Sequence, residues 1–251
     1  MIEEMKGYQN YIFDLYGTLV DIHTDEYSPS FWKKCAALFT DHGAAYRYCE
    51  LKDAYFAIIG QLEEEKKEAG HHIEIDICDV FKELYRRKDI KADRKLIEKT
   101  ASGFRALSTC HLRLYAGAKD LLITLRKKGK KVFLLSNAQT LFTVKEMKDL
   151  GIYDLFDAIF ISSACGYKKP DPYFLKQLIE SFDLCIGDCL LIGNDLYSDI
   201  LTAREAGMDS YYIRSRLSWN TDDPITPTYS QESMNLHLLK RRILYNDKEV
   251  R

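Results

Sequence analysis

The sequence predicts an α/β fold, a parallel sheet with helices on both faces and an all-helical segment inserted near its start. Three observations carry this reading. Short apolar runs such as Tyr11-Ile12-Phe13, Val132-Phe133-Leu134-Leu135 and Leu190-Leu191-Ile192 each run into polar residues, as buried parallel strands do. From Leu114 onward, strand-like and helix-like segments alternate, which implies a sheet covered on both faces. Between the first two apolar runs, residues 22–112 carry the 3.6-residue periodicity of three or four amphipathic helices and almost no strand signal.

In chain order, strand 11–13 leads into Asp14. Ser28 or Ser30 opens the first inserted helix, whose Phe31, Cys35, Leu38 and Phe39 fall on one face. A second helix covers about 44–69 and closes in the charged run Glu63 to Glu68 before Gly70, the pattern of a solvated face. Beyond the insertion, helix 119–128 stops at Gly129, and strand 131–135 runs into Ser136-Asn137. The unit then recurs, with helix 140–150 stopped at Gly151, strand 158–161, helix 172–182 and strand 190–192. Helix 196–206 stops at Gly207, strand 210–213 follows, and residues 221–230, with Pro224 and Pro227, form a surface loop before a basic C-terminal helix. The implied division is a core of residues 1–21 and 113–251 around a helical domain of residues 22–112.

The chain has 251 residues, 46% of them hydrophobic, enough for a sizeable core with a smaller insertion. Lys and Arg total 36 against 38 Asp and Glu, and the net charge of −2 gives no case for nucleic acid or an anionic membrane surface. No apolar stretch approaches the ~20 residues of a membrane-spanning helix. The acidic start Met1-Ile2-Glu3-Glu4-Met5-Lys6 lacks a secretory signal pattern, so a cytoplasmic location is expected. Seven cysteines, at 35, 49, 78, 110, 165, 185 and 189, contain no C-x-x-C pair and argue against a disulfide framework or a zinc site. Cys185 and Cys189 are expected to pack in the core, and His71-His72 to form a solvated turn.

Asp14, Ser136, Lys169, Asp195 and Asp199 all follow strand-like runs or lie in the loops after them, so one parallel sheet would gather them at its carboxyl edge. A lone Asp after a strand is more often a helix cap. The surrounding strings change that balance. Phe13-Asp14-Leu15-Tyr16-Gly17-Thr18-Leu19, Leu135-Ser136-Asn137, Gly166-Tyr167-Lys168-Lys169-Pro170 and Ile192-Gly193-Asn194-Asp195 with Asp199 together resemble the haloacid dehalogenase superfamily, in order and over residues 13–208. The resemblance implies a Rossmann-like core with a helical cap between the first two motifs.

It also implies roles. Asp14 would be the nucleophile, forming a covalent ester intermediate. Ser136 would bind an oxygen of the transferring group, Lys169 rather than Lys168 would supply a fixed charge, and Thr18 would orient the Asp14 loop. Tyr16, Gly17 and Asn137 would touch substrate. Mg2+ would take Asp14, the Tyr16 carbonyl, Asp195 and Asp199, with Asn194 competing for the Asp195 position and Asp199 alternatively holding Lys169. The substrate would be a small anion, and the protein a monomer or homodimer.

One position departs from the resemblance. Where phosphatases of the superfamily carry a second Asp, this chain has Tyr16, and a phenol with a pKa of about 10 is a poor general base near neutral pH. The Asp-Leu-Tyr-Gly-Thr-Leu string is similar to L-2-haloacid dehalogenases, which use no metal. Those enzymes carry a single functional acid in the last motif, against Asp195 and Asp199 here, and a tyrosine where this chain has Leu175. Arg47 is the nearest candidate for their cap arginine. The expectation is therefore a magnesium-dependent phosphatase, with a dehalogenase and a catalytically weak binding protein as the alternatives. Tyr46, Tyr48 and Tyr55 could line a cavity under the cap, although helix-core packing explains them equally.

Overall fold

The structure is a computed structural model that describes residues 5–67, 70–219 and 224–246. Six parallel strands form its main sheet. In chain order they are β1 (Asn10–Phe13), then, after the inserted helices, β4 (Lys131–Ser136), β5 (Ala158–Ile161), β6 (Cys189–Gly193), β7 (Asp209–Ile213) and β8 (Tyr229–Gln231). Their spatial order is β5-β4-β1-β6-β7-β8. The first strand is thus central, hydrogen-bonded to β4 on one side and to β6 on the other. The expected α/β class with helices on both faces is what the chain adopts.

Alternation along these strands builds two cores. Tyr11, Phe13, Val132, Leu134, Leu190 and Ile192 face one way, onto α5 (Ala118–Lys127) and α10 (Leu236–Asn246). Ile12, Phe133, Leu135, Cys189 and Leu191 face the other, onto α8 (Pro172–Ser181) and α9 (Leu201–Glu205). Each fully buried side chain of this size is worth about 1.5–3 kcal/mol relative to exposure.

The inserted helices are α1 (Pro29–Asp41), α2 (Tyr48–Glu65), α3 (Ile77–Arg86) and α4 (Arg94–Ser108). Ser28, Asp76 and Asp93 cap α1, α3 and α4 by accepting first-turn N–H groups. The four helices share their own core around Phe31, Trp32, Phe39, Tyr55, Phe81 and Phe104. Tyr46 and Tyr55 are buried in it and Tyr48 is exposed. Phe142, on α6 (Thr140–Asp149) of the sheet domain, joins that core and stacks on Phe104 at 6.5 Å.

Three expectations need correction. The insertion is not purely helical, because β2 (Val20–Thr24) and β3 (Thr109–Leu114) pair antiparallel at its two ends. Both strands are half-exposed and polar, so neither gives an apolar run to read. The 221–230 loop gives way at Tyr229 to β8, while residues 221–223 lie outside the described residues. Cys185 is exposed; Cys189 is buried as expected, and all seven cysteines are free. No helix among the described residues is long and apolar enough to cross a membrane.

Candidate active site

Because β1 lies between β4 and β6, the residues that follow these strands meet at one edge of the sheet. Asp14 follows β1, Ser136 ends β4, and Asn194 follows β6. The Asp14 N–H donates to Ile192 O at 2.9 Å, extending the ladder by one bond. The chain then turns tightly, with Gly17 N donating to Val20 O at 2.8 Å and Val20 N to Leu15 O at 2.9 Å. Gly17 has φ +88°, and a Cβ there would lie 2.5 Å from Asn194 Nδ2, so both backbone and space demand glycine.

Lys169 enters from the loop between β5 and α8 and is buried. Its ammonium has three donors and three acceptors: Asp14 Oδ1 at 2.8 Å, Asp199 Oδ1 at 2.6 Å and Leu135 O at 2.8 Å. Ser136 Oγ donates to Asp14 Oδ1 at 3.3 Å. Thr18 Oγ1 lies 3.3 Å from Asp14 Oδ2 and 3.0 Å from Asn194 Oδ1. Burial alone would lower the Lys169 pKa, yet the Asp14 and Asp199 carboxylates outweigh it and hold the ammonium above its ordinary value. Burial pushes the Asp199 carboxyl above the usual carboxylate range, with Lys169 opposing and Asp14 adding to the rise. One cation here serves two carboxylates.

Several anticipated residues act differently. Asn137 grips the Lys169 backbone, accepting from its N–H at 2.7 Å and donating to its carbonyl at 2.9 Å, and so fixes the lysine. Asp199 has both oxygens taken, one by Lys169 and the other by the Asp195 N–H at 3.0 Å. It fits the lysine-holding alternative and not an ion ligand. Its approach needs Gly193, where a Cβ would lie 2.2 Å from its carboxylate. Asp195 caps the single π-helical turn Leu196–Ile200 that opens the expected 196–206 helix, accepting from Ser198 N at 2.6 Å. Lys168 is half-buried and uses its backbone N–H on His72 O.

The Tyr16 side chain also leaves the site. Its hydroxyl donates to Glu146 Oε2 and lies 3.0 Å from Thr143 Oγ1, both on α6. Glu146 in turn accepts from Arg105 Nε of α4 at 2.5 Å. Burial raises the Tyr16 pKa well above its ordinary value, the Glu146 charge adding to it and Arg105 opposing.

A model of the haloacid dehalogenase-like hydrolase family matches residues 8–207. The chain belongs to that family. Among relatives of this hydrolase, glyceraldehyde 3-phosphate phosphatase of Pyrococcus abyssi is 26% identical over 202 residues, covering 80% of this chain and 79% of the relative. YfnB of Bacillus subtilis, named as a HAD-hydrolase, is 25% identical over 90% of this chain and 92% of its own. Its magnesium-bound crystal structure aligns with a TM-score of 0.56 at 22% identity, over 95% of this chain and 99% of that one. The L-2-haloacid dehalogenase RSc1362 aligns at 0.59 and 17% identity, over 95% and 100% of the two chains. Both alignments show the shared fold.

An ion in this hydrolase would need oxygen donors that no other group occupies. Among the described residues, no three or more His, Cys, Asp or Glu side chains gather to hold one. Asp14 Oδ2 has only the long contact to Thr18, and Asp195 uses Oδ1 alone on the helix. Asp14, the Tyr16 carbonyl and either Asp195 or Asn194, whose Oδ1 reaches the Asp14 loop through Thr18, are with waters the kind of oxygen donors Mg2+ takes. In kind, the donor set fits.

The residues missed from sequence are Glu146, Thr143 and Arg105. A signal existed, because Phe142, Thr143, Glu146 and Met147 form the buried face of α6 and a charge on such a face calls for a partner. His71 is likewise not a solvated turn: its Nδ1 lies 3.0 Å from the buried Asp171 Oδ2, which also accepts the His72 N–H at 2.7 Å. Arg47 is exposed at the start of α2.

Proposed function

We propose that this hydrolase is a magnesium-dependent phosphatase of small phosphorylated metabolites, working in the cytoplasm, with α1–α4 as its cap. The observation that carries the reading is the buried Lys169 ammonium held between Asp14 and Asp199. A carboxylate approaching an anionic phosphoryl group meets repulsion, and a fixed, already desolvated cation beside it reduces that repulsion without reorganisation. Asp14 attacks phosphorus and forms an aspartyl-phosphate, the leaving oxygen departs, and water then releases phosphate from Asp14. Ser136 and Thr18, whose contacts to Asp14 are long, turn their hydroxyls to the transferring oxygens. Mg2+, held by Asp14, Asp195 and the Tyr16 carbonyl, would add positive charge at those oxygens when bound. Relatives named as glyceraldehyde 3-phosphate and phosphoglycolate phosphatases support a small phosphorylated substrate. The seven free thiols suit a reducing compartment.

A second reading, metal-independent dehalogenation of a 2-haloacid, is favoured by Tyr16 in place of a carboxylate, since halide departs without a proton. One assay separates the two. The expected outcome is phosphate release from 4-nitrophenyl phosphate with Mg2+, lost with chelator and reduced at least about a thousandfold by Asp14→Asn. Halide release from 2-chloropropionate without metal, with no phosphate release under any condition, would overturn the proposal.

A further inference from the structure

When a carboxylate displaces an oxygen leaving group from phosphorus, that oxygen takes the bonding electron pair. An alkoxide is too basic to leave so and needs a proton delivered as the bond breaks, whereas a carboxylate, a phosphate or an acidic phenolate leaves without one. The leaving group this site accepts is therefore set by which residue near Asp14 can deliver a proton.

Each candidate is committed elsewhere. The three Lys169 donors are directed to Asp14, Asp199 and Leu135 O. Asp199 is 1% exposed and has both oxygens filled. Ser136 and Thr18 carry weakly acidic hydroxyls turned to Asp14, and Asp195 caps the helix after β6 by accepting the Ser198 N–H, its other oxygen being the one the proposed metal would take. Tyr16 stands nearest in sequence, but its proton is directed to Glu146, and Thr143 also contacts its oxygen. Arg105 closes the arrangement, with its guanidinium carbon 5.9 Å from the Tyr16 ring centre and its Nε on Glu146. Glu146 is only 7% exposed. Its two oxygens are occupied by Arg105 and Tyr16, so it cannot serve as a relay.

We infer that the hydrolase acts on phosphoryl donors whose leaving oxygen departs unprotonated, acyl phosphates above all, in preference to alkyl phosphate esters. This rests on the phosphotransfer reading and narrows it. An Asp14 oxygen bonds to phosphorus as the bond to the acyl oxygen breaks, and both electrons leave on the carboxylate with no proton moved. Water then bonds to phosphorus as the Asp14 carboxylate departs. It keeps one proton as P–OH and passes the other to an oxygen of the released phosphate.

The test compares kcat/KM, with Mg2+, for acetyl phosphate, 4-nitrophenyl phosphate, phenyl phosphate and glycerol 3-phosphate. Acetyl and 4-nitrophenyl phosphate should exceed the other two by at least about 100-fold, the range a general acid would otherwise level. Tyr16→Asp, checked for folding by circular dichroism, should raise phenyl and glycerol phosphate hydrolysis and flatten the dependence. Tyr16→Phe should shift all four substrates by a similar factor. A flat dependence in the wild type, or a steeper one in Tyr16→Phe, overturns the inference while leaving the phosphatase reading standing. Release of phosphate from none of the four, acetyl phosphate included, overturns both.

Discussion

Asp14 and Glu146 are both buried carboxylates with a cation beside them, the buried Lys169 at 2.8 Å and the half-buried Arg105 at 2.5 Å. They differ in balance. Lys169 is shared with Asp199, so the Asp14 centre sets one positive group against two negative ones, and its remaining contacts are hydroxyls at 3.3 Å. Glu146 has a guanidinium of its own and the Tyr16 hydroxyl besides. The first centre is left with an uncompensated carboxylate and loosely held oxygens, which is what the proposed metal-assisted phosphotransfer would use. The second is closed, and what it does is tie α4 of the helical unit to α6 and to the loop that carries Asp14. The same pair of charges becomes reactive or structural according to whether its surroundings complete it.

The sharpest way to break the comparison is to remove each cation. Lys169→Met leaves Asp14 and Asp199 buried together without compensation. It should reduce kcat on 4-nitrophenyl phosphate by at least about 10³-fold and lower stability by about 3–5 kcal/mol. Retained turnover would show that the ammonium is not part of the chemistry. Arg105→Met should act mainly on stability, costing about 3 kcal/mol in urea unfolding because the buried Glu146 loses the partner that compensates it. Adding Glu146→Leu should recover most of that loss. A double variant as unstable as the single one would mean the helical unit is held by packing around Phe104 and Phe142 instead.

The difference between the two centres also explains what was legible in the sequence. Asp14, Ser136 and Lys169 could be read because a parallel sheet delivers strand-end residues to one edge whatever the intervening chain does. Glu146 could be flagged as a charge on the apolar face of α6, but its partner Arg105 could not, since their meeting depends on how α4 packs on α6, and no local pattern encodes that crossing. Asp199 was half legible. Its four-residue spacing from Asp195 suggests two ligands on one helical face, but the π-helical turn and the capping role of Asp195 send the two carboxylates to different partners. The β2–β3 pairing joins Val20–Thr24 to Thr109–Leu114 across the whole insertion, and neither strand is apolar enough to announce itself.

The smallest expected effect concerns another buried carboxylate, Asp21, at the base of the helical unit. It accepts from Arg113 Nη2 at 2.8 Å and Arg216 Nε at 2.7 Å, with His111 Nε2 at 3.3 Å, and so ties β2, β3 and the segment after β7. Burial raises its pKa, but Arg216, Arg113 and His111 outweigh that and bring it from 3.8 to about 2. The folded state therefore holds this proton less tightly than the unfolded chain. Its contribution is complete above the unfolded value near 4 and is lost as pH falls through 2. Because Arg113 is largely exposed and Arg216 nearly half so, solvent screening limits it to about 1–2 kcal/mol. Thermal melts from pH 5 to pH 2 should show wild type losing stability faster than Asp21→Asn, and 0.5 M salt should narrow the gap. Parallel curves would show that the partners of Asp21 hold the fold without setting its response to acid.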